Sequence, residues 1–104
     1  MREICVVRLD KTRPALVLTR EAARASMTKV TIAPITSTIK GLSSEVQVGL
    51  RNGLDHDSAV SLDHVLTVPV DALGRTLGYL SSEQEAQIAR AVVLAYDLDI
   101  ALLD

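Results

Sequence analysis

Two short stretches of this chain gather groups that suit a phosphate. The first, Lys11-Thr12-Arg13-Pro14, sets two cations and a hydroxyl directly ahead of the apolar run Ala15-Leu16-Val17-Leu18. The second, from Pro34 to Gly41, crowds Thr36, Ser37, Thr38 and Lys40 behind another apolar run. A guanidinium presents a planar fork of N–H donors matched to phosphate oxygens, and hydroxyls donate to the same atoms. Each stretch alone has an ordinary reading. A Thr/Ser cluster at a strand end often serves a turn, and an arginine before a proline is often plain surface. Taken together they point to an anionic ligand.

Other chemistries have less support. His56 and His64 have Asp neighbours but no second His or Cys at a familiar ligand spacing, so no metal is expected. Gly53, Gly74 and Gly78 are isolated, and neither a Gly-rich phosphate loop nor a GxSxG turn is present. No cofactor is expected. Asp55 and Asp57 follow Asn52-Gly53 and read as a solvated turn.

The elements that would carry these groups are short strands and one late helix. Apolar runs bounded by charge and proline predict strands at Ile4–Val7, Ala15–Leu18 and Val30–Ile35, the first two forming a hairpin. Pro34 cannot donate to a ladder, which predicts an edge or a bulge at the end of the third. Further strands are predicted at Glu45–Val48, Ser58–Leu62, His64–Val68 and Leu77–Leu80, and one helical turn at Glu21–Ala25. The clearest element is a C-terminal helix. Ser82 and Glu85 form a capping-box signature, with Ser81 and Gln84 competing one residue earlier. Ile88, Ala91, Val92 and Ala95 follow at helical spacing as a core-packing stripe. The pattern is α+β, mostly β: a small, strongly bent sheet or barrel with a C-terminal α-helix.

Composition narrows the class. The 104 residues are read as one domain spanning 1–104. Hydrophobic residues make up 48%, but there are only two Tyr and no Phe or Trp, so the core must be aliphatic and thin. A domain of this size leaves much surface exposed, which favours a dimer. The net charge of −2 argues against a general nucleic-acid coat protein yet permits a local basic site. Cys5 stands alone in an apolar run, which reads as a buried small hydrophobe in a reducing compartment. No apolar stretch reaches membrane-spanning length and no signal-peptide pattern opens the chain, so a cytoplasmic location is expected.

The blocks "KTRPALVLTRE", "VTIAPITSTIKGLSSEV", "GLDHDSAVSLDHVLTVP" and "LGRTLGYLSSEQEAQIARAV" occur in the order and register of the MazF/PemK toxin family, which this chain resembles along nearly its whole length. The resemblance implies an SH3-like barrel, a homodimer and a type II toxin neutralised by a cognate antitoxin. It also implies a sequence-selective, metal-independent endoribonuclease. In that reaction the RNA 2′-hydroxyl attacks its own phosphate and leaves a 2′,3′-cyclic phosphate and a 5′-hydroxyl. Arg13 matches the family's Arg-Pro motif and Thr36 its Pro-Leu/Ile-Thr motif, the two catalytic positions. Asp63 matches the Asp of an Asp-Gln-Ile/Val motif beside the RNA groove. Lys11, Thr12, Ser37, Thr38, Lys40 and His64 are the further RNA-binding candidates. His64 replaces the family's Gln; a groove-lining or structural role is preferred to that of base on the 2′-hydroxyl.

The chain also departs from the family pattern. The usual Arg-Gly-acid opening reads Arg2-Glu3-Ile4, the loop between the first two strands is several residues shorter, and Leu66 replaces a cation. Two readings compete with the nuclease. One is a CcdB-like gyrase poison of the same fold, disfavoured because an aromatic C-terminal tail is lacking. The other is a catalytically silent antitoxin partner, disfavoured because Arg13 and Thr36 are both present.

Overall fold

The computed structural model describes residues 2–100. Its first two strands, β1 (Glu3–Arg8) and β2 (Thr12–Val17), form the expected antiparallel hairpin, paired from Ile4 with Leu16 to Arg8 with Thr12. The reversal is tight: Leu9 N–H donates to the Lys11 carbonyl, and the Asp10 carboxylate accepts from Lys11 N–H. β2 therefore begins three residues earlier than its apolar run. Arg13 and Pro14 lie within the strand, Arg13 across from the fully buried Val7.

One helical turn, α1 (Glu21–Arg24), leads into β3 (Lys29–Thr36). The chain continues through β4 (Glu45–Val48), β5 (Ser58–Ser61), β6 (Leu66–Pro69) and β7 (Leu73–Tyr79) to α2 (Ser82–Ala95). The strands run β4-β5-β3-β2-β1-β7, with β6 also on β3. The sheet curls into a half-barrel.

Pro34 is not on an edge strand, because β3 is flanked on both sides. Thr31 directs its carbonyl to Leu18 N–H and its N–H to the Thr19 hydroxyl, so its polar groups face β2. By alternation the Pro34 nitrogen faces the opposite edge. There the pairing with β6 stops at Ile32 and the pairing with β5 starts at Ile35, so no ladder donor is needed. The expected strand at His64–Val68 is likewise corrected: His64 closes a 3₁₀ turn over Leu62–His64, and β6 starts at Leu66.

Two aliphatic layers explain why these strands read as continuous apolar runs. Ile4, Leu16, Ala33 and Ile35 face a layer completed by Val60, Leu62, Ile88 and Ala91 under α2. The alternate residues Cys5, Val7, Ala15, Val17, Val30 and Ile32 form a second layer with Val68. Strands buried on both faces lose the polar alternation of a half-exposed sheet. Burial pushes the Cys5 thiol up to about 11, with the Glu3 carboxylate adding to the rise, so Cys5 packs as a neutral hydrophobe. Burial also works to raise Glu3. Hydrogen bonds from Thr76 and Arg24, with the Arg24 charge, outweigh it and hold this carboxyl below its ordinary value.

α2 takes the earlier of the two capping boxes. The Ser81 hydroxyl accepts from Gln84 N–H at 3.2 Å, and the Gln84 side chain accepts from Ser81 N–H at 3.0 Å. Gln84 is buried, where its amide donates to the Gln47 carbonyl and exchanges hydrogen bonds with Asn52 at 2.7 and 3.0 Å. Glu85 is drawn away to Arg2 at 3.0 Å. Ile88 and Ala91 are buried, and Val92 and Ala95 pack beside them, as the stripe predicted. No helix among the described residues is long and apolar enough to cross a membrane.

Candidate active site

The β2–β3 register sets Arg13 beside Thr36. Ala15 pairs with Pro34, and continuing that register by two residues would bring Arg13 opposite Thr36 on the same face. The ladder stops short of that step, while β3 continues along β5 with Thr36 opposite Ala59. A cleft opens where the two strands part. Arg13 and Thr36 line it with Pro34, Thr38, Lys40, Leu42, Glu45, Ser61 and His64, around a volume of roughly 350 Å³.

The hydrogen bonds in the cleft prepare it for an anion. The Thr36 hydroxyl oxygen accepts from Thr38 N–H at 3.1 Å, which leaves its proton available to a ligand. The Glu45 carboxylate accepts from the backbone N–H groups of Lys40, Gly41 and Leu42 at 3.1, 2.8 and 3.2 Å, shaping the rim. Ion pairs join Arg2 with Glu85 and Arg24 with Glu3, and His56 Nδ1 lies against the Asp55 carboxylate. Lys11, Arg13 and Lys40 have no acidic partner among the described residues, and Arg13 is exposed. A local cationic site thus exists on a chain of net charge −2.

A second depression, also of about 350 Å³, shares Arg13 and Thr36 and adds Lys11, Ser37, Asp55, His56 and Ser58. Thr12 lines a third with Arg13, Arg75 and Leu77. Of the RNA-binding candidates, Thr38, Lys40 and His64 therefore share the first cleft with Arg13 and Thr36, while Lys11 and Ser37 share the second. Asp63 lines none of the three. Its carboxylate accepts from the Ser44 hydroxyl at 2.5 Å, tying the turn before β6 to the segment before β4.

Sequence reasoning missed Asp55, His56, Ser61 and Glu45. Asp55 and His56 read as a solvated turn, and both are indeed exposed, yet the fold brings them across from Lys11. The nearest sequence signal was the adjacent Asp-His pair itself. No group of three or more His, Cys, Asp or Glu suited to a metal occurs among the described residues.

Comparison with known proteins places the chain in a family. The family model for PemK-like, MazF-like toxins of type II toxin-antitoxin systems matches residues 3–96. Endoribonuclease MazF3 of Mycobacterium tuberculosis H37Rv is 52% identical over 99 residues, covering 95% of this chain and 96% of that protein. Probable endoribonuclease MazF5 of the same strain is 41% identical over 88 residues, covering 82% and 79%. The solved structure of the Mycobacterium tuberculosis toxin MazF-mt6 superposes with a TM-score of 0.93 at 50% identity, covering 95% of this chain and all of that one. A match spanning both strands of the cleft and the closing helix leaves one assignment: this chain belongs to the PemK-like, MazF-like toxin family of type II toxin-antitoxin systems.

Proposed function

We propose that this chain is an endoribonuclease toxin that cuts RNA by directing the substrate's own 2′-hydroxyl onto the adjacent phosphate, without a metal ion. The products are a 2′,3′-cyclic phosphate and a 5′-hydroxyl. The observation that carries the proposal is the exposed Arg13 guanidinium, free of an acidic partner among the described residues, lining one cleft with the oriented Thr36 hydroxyl. Phosphate gains negative charge on its non-bridging oxygens as the fifth bond forms. Preorganised donors bind that charge more tightly than the ground state, and this difference lowers the barrier. Arg13 supplies a two-pronged charged donor and Thr36 a neutral one. Because β2 and β3 fix both, little ordering remains when substrate arrives.

Lys11, Thr12, Ser37, Thr38 and Lys40 bind the flanking backbone and bases, giving sequence selectivity on RNA, and His64 lines the cleft beside Arg13 and Thr36. Asp63 contributes through the turn it anchors. The toxin works in the cytoplasm, where RNA is found. It is inactivated by a cognate antitoxin whose disordered acidic or amphipathic segment covers the Arg13–Thr36 cleft. Expression alone should arrest growth, and antitoxin co-expression should restore it; arrest that persists with antitoxin bound would contradict this.

A short RNA should be cut equally well in excess EDTA, while a substrate carrying a 2′-deoxy sugar at the cut site should resist. Activity abolished by EDTA, or undiminished cutting of the deoxy substrate, would overturn the mechanism. The small aliphatic core further supports a C2 homodimer. Light scattering at micromolar concentration should give roughly twice the chain mass of 11.2 kDa. A monomer that still cuts RNA would count against it.

A further inference from the structure

The two depressions that meet at Arg13 and Thr36 each hold one histidine, His64 in the first and His56 in the second. Their places follow from β5. Thr36 pairs with Ala59 in this strand, His56 lies two residues before its start at Ser58, and His64 lies three residues after its end at Ser61. Three steps along a strand separate those ends by about 10 Å. A phosphate held by Arg13 and Thr36 therefore has a histidine toward each end of β5.

Resting on the nuclease function above, we infer that His64 and His56 form the proton-transfer pair of the reaction, His64 as base on the 2′-hydroxyl and His56 as acid on the leaving 5′-oxygen. In-line displacement places the attacking and leaving oxygens on opposite sides of phosphorus, so acid and base must stand apart. The assignment of roles follows from the hydrogen bonds. His56 Nδ1 lies 2.5 Å from the Asp55 carboxylate, which can only accept. Nδ1–H therefore donates to the carboxylate, and Nε2 is the nitrogen left to face substrate and pass a proton to the leaving oxygen. His64 Nδ1 is 2.8 Å from the Ser61 hydroxyl, an uncharged partner whose oxygen can accept from Nδ1–H and so leave the bare Nε2 of a neutral ring to take the 2′-hydroxyl proton.

In the step, His64 removes the 2′-hydroxyl proton as the 2′-oxygen bonds to phosphorus. The bond from phosphorus to the 5′-oxygen breaks, and that oxygen takes the proton from His56. Water then returns a proton to His56 and removes one from His64. The charged groups that share the depression with His56 are Asp55 of its own loop and Lys11 and Arg13 of the hairpin. Those that share the cleft with His64 are Arg13, and Lys40 and Glu45 of the rim. Of these side-chain types only histidine ordinarily titrates between pH 5 and 8, so the rate should follow a bell near neutrality.

The test pairs His56→Gln and His64→Gln with two RNAs, one ordinary and one with sulfur in place of the bridging 5′-oxygen at the cut site. A thiolate leaves without being protonated. His56→Gln should lose about 10²- to 10⁴-fold on the ordinary RNA and recover most of it on the sulfur substrate. His64→Gln should lose activity on both and flatten the acidic limb of the pH profile. Asp55→Asn should show a smaller loss with the same sulfur rescue, as a positioning residue. The His56 side chain is 60% exposed, so its replacement should leave melting unchanged. His56→Gln cutting ordinary RNA within about threefold of the parent, or losing equally on both substrates, would overturn the pair. A parent protein that cuts no RNA would overturn the nuclease function and the pair with it.

Discussion

Replacing Arg13 with Ala should slow RNA cleavage by about 10²-fold or more and leave the fold intact. The structure separates these two effects. Arg13 is exposed and has no acidic partner among the described residues, and the burial on its strand begins beyond it, at Ala15. Thermal melting of the variant should therefore match the parent. The loss in rate reflects charge that develops only as the phosphate becomes five-coordinate, so it should fall on the chemical step. Arg13→Lys should recover little, because an ammonium is a point charge and cannot reproduce two parallel N–H bonds. Thr36→Ala should cost less than Arg13→Ala, since a neutral donor makes the weaker bond. Single-turnover cleavage of a short RNA, with melting measured alongside, checks all three. Arg13→Lys at near-parental rate would show that Arg13 supplies only general attraction for RNA. In cells, Arg13→Ala should no longer arrest growth; full arrest would place the toxicity elsewhere.

The two groups that meet in this cleft could be picked out from residue types, but their meeting could not. What joins them is the pairing of Ala15 with Pro34, a register fixed by packing on both faces of the sheet. α2 was legible because its period of apolar residues is local. Its first residue was ambiguous because two capping boxes overlap, and the choice rests on Gln84 reaching Asn52, 32 residues away. β7 was recognised only at its apolar end. Gly74, Arg75 and Thr76 are exposed, and what makes them strand is pairing with β1, which starts 70 residues earlier in the chain at Glu3. His56 was the costliest omission. Its turn-like neighbours correctly predict exposure, but exposure does not reveal what lies across the gap. The general limit is physical: propensity and period report on neighbours in sequence, and an active site is made of neighbours in space.

Gly53→Ala should destabilise the protein by about 3 kcal/mol or more, a large share of the roughly 5–15 kcal/mol that holds a domain folded. Two causes act at this position. Gly53 has φ +85, a left-handed conformation that ends the 3₁₀ turn Leu50–Asn52, and an added Cβ would also lie 1.9 Å from the Leu77 carbonyl oxygen. That oxygen belongs to β7 and cannot rotate aside. The approach is mutual, because a Cβ on Gly78 would lie 2.1 Å from the Asn52 carbonyl oxygen. The two backbones touch here because the Asn52 side chain is buried beside them, its amide donating to the Tyr79 carbonyl at 2.9 Å and to Gln84 at 2.7 Å. Gly41 provides the control. It has φ +74 but nothing within 4 Å of its would-be Cβ, so Gly41→Ala should cost only the left-handed strain, about 1–2 kcal/mol. For a domain of this size the difference should appear as a melting point lower by more than about 5 °C in Gly53→Ala than in Gly41→Ala. Equal melting points would mean that β7 and the turn do not need this contact. The consequence for the cleft follows from chain order: Leu54, Asp55 and His56 come directly after Gly53 and line the second depression with Arg13. A turn pushed away from β7 carries these residues with it, so at temperatures where Gly53→Ala remains folded its cleavage rate should also fall.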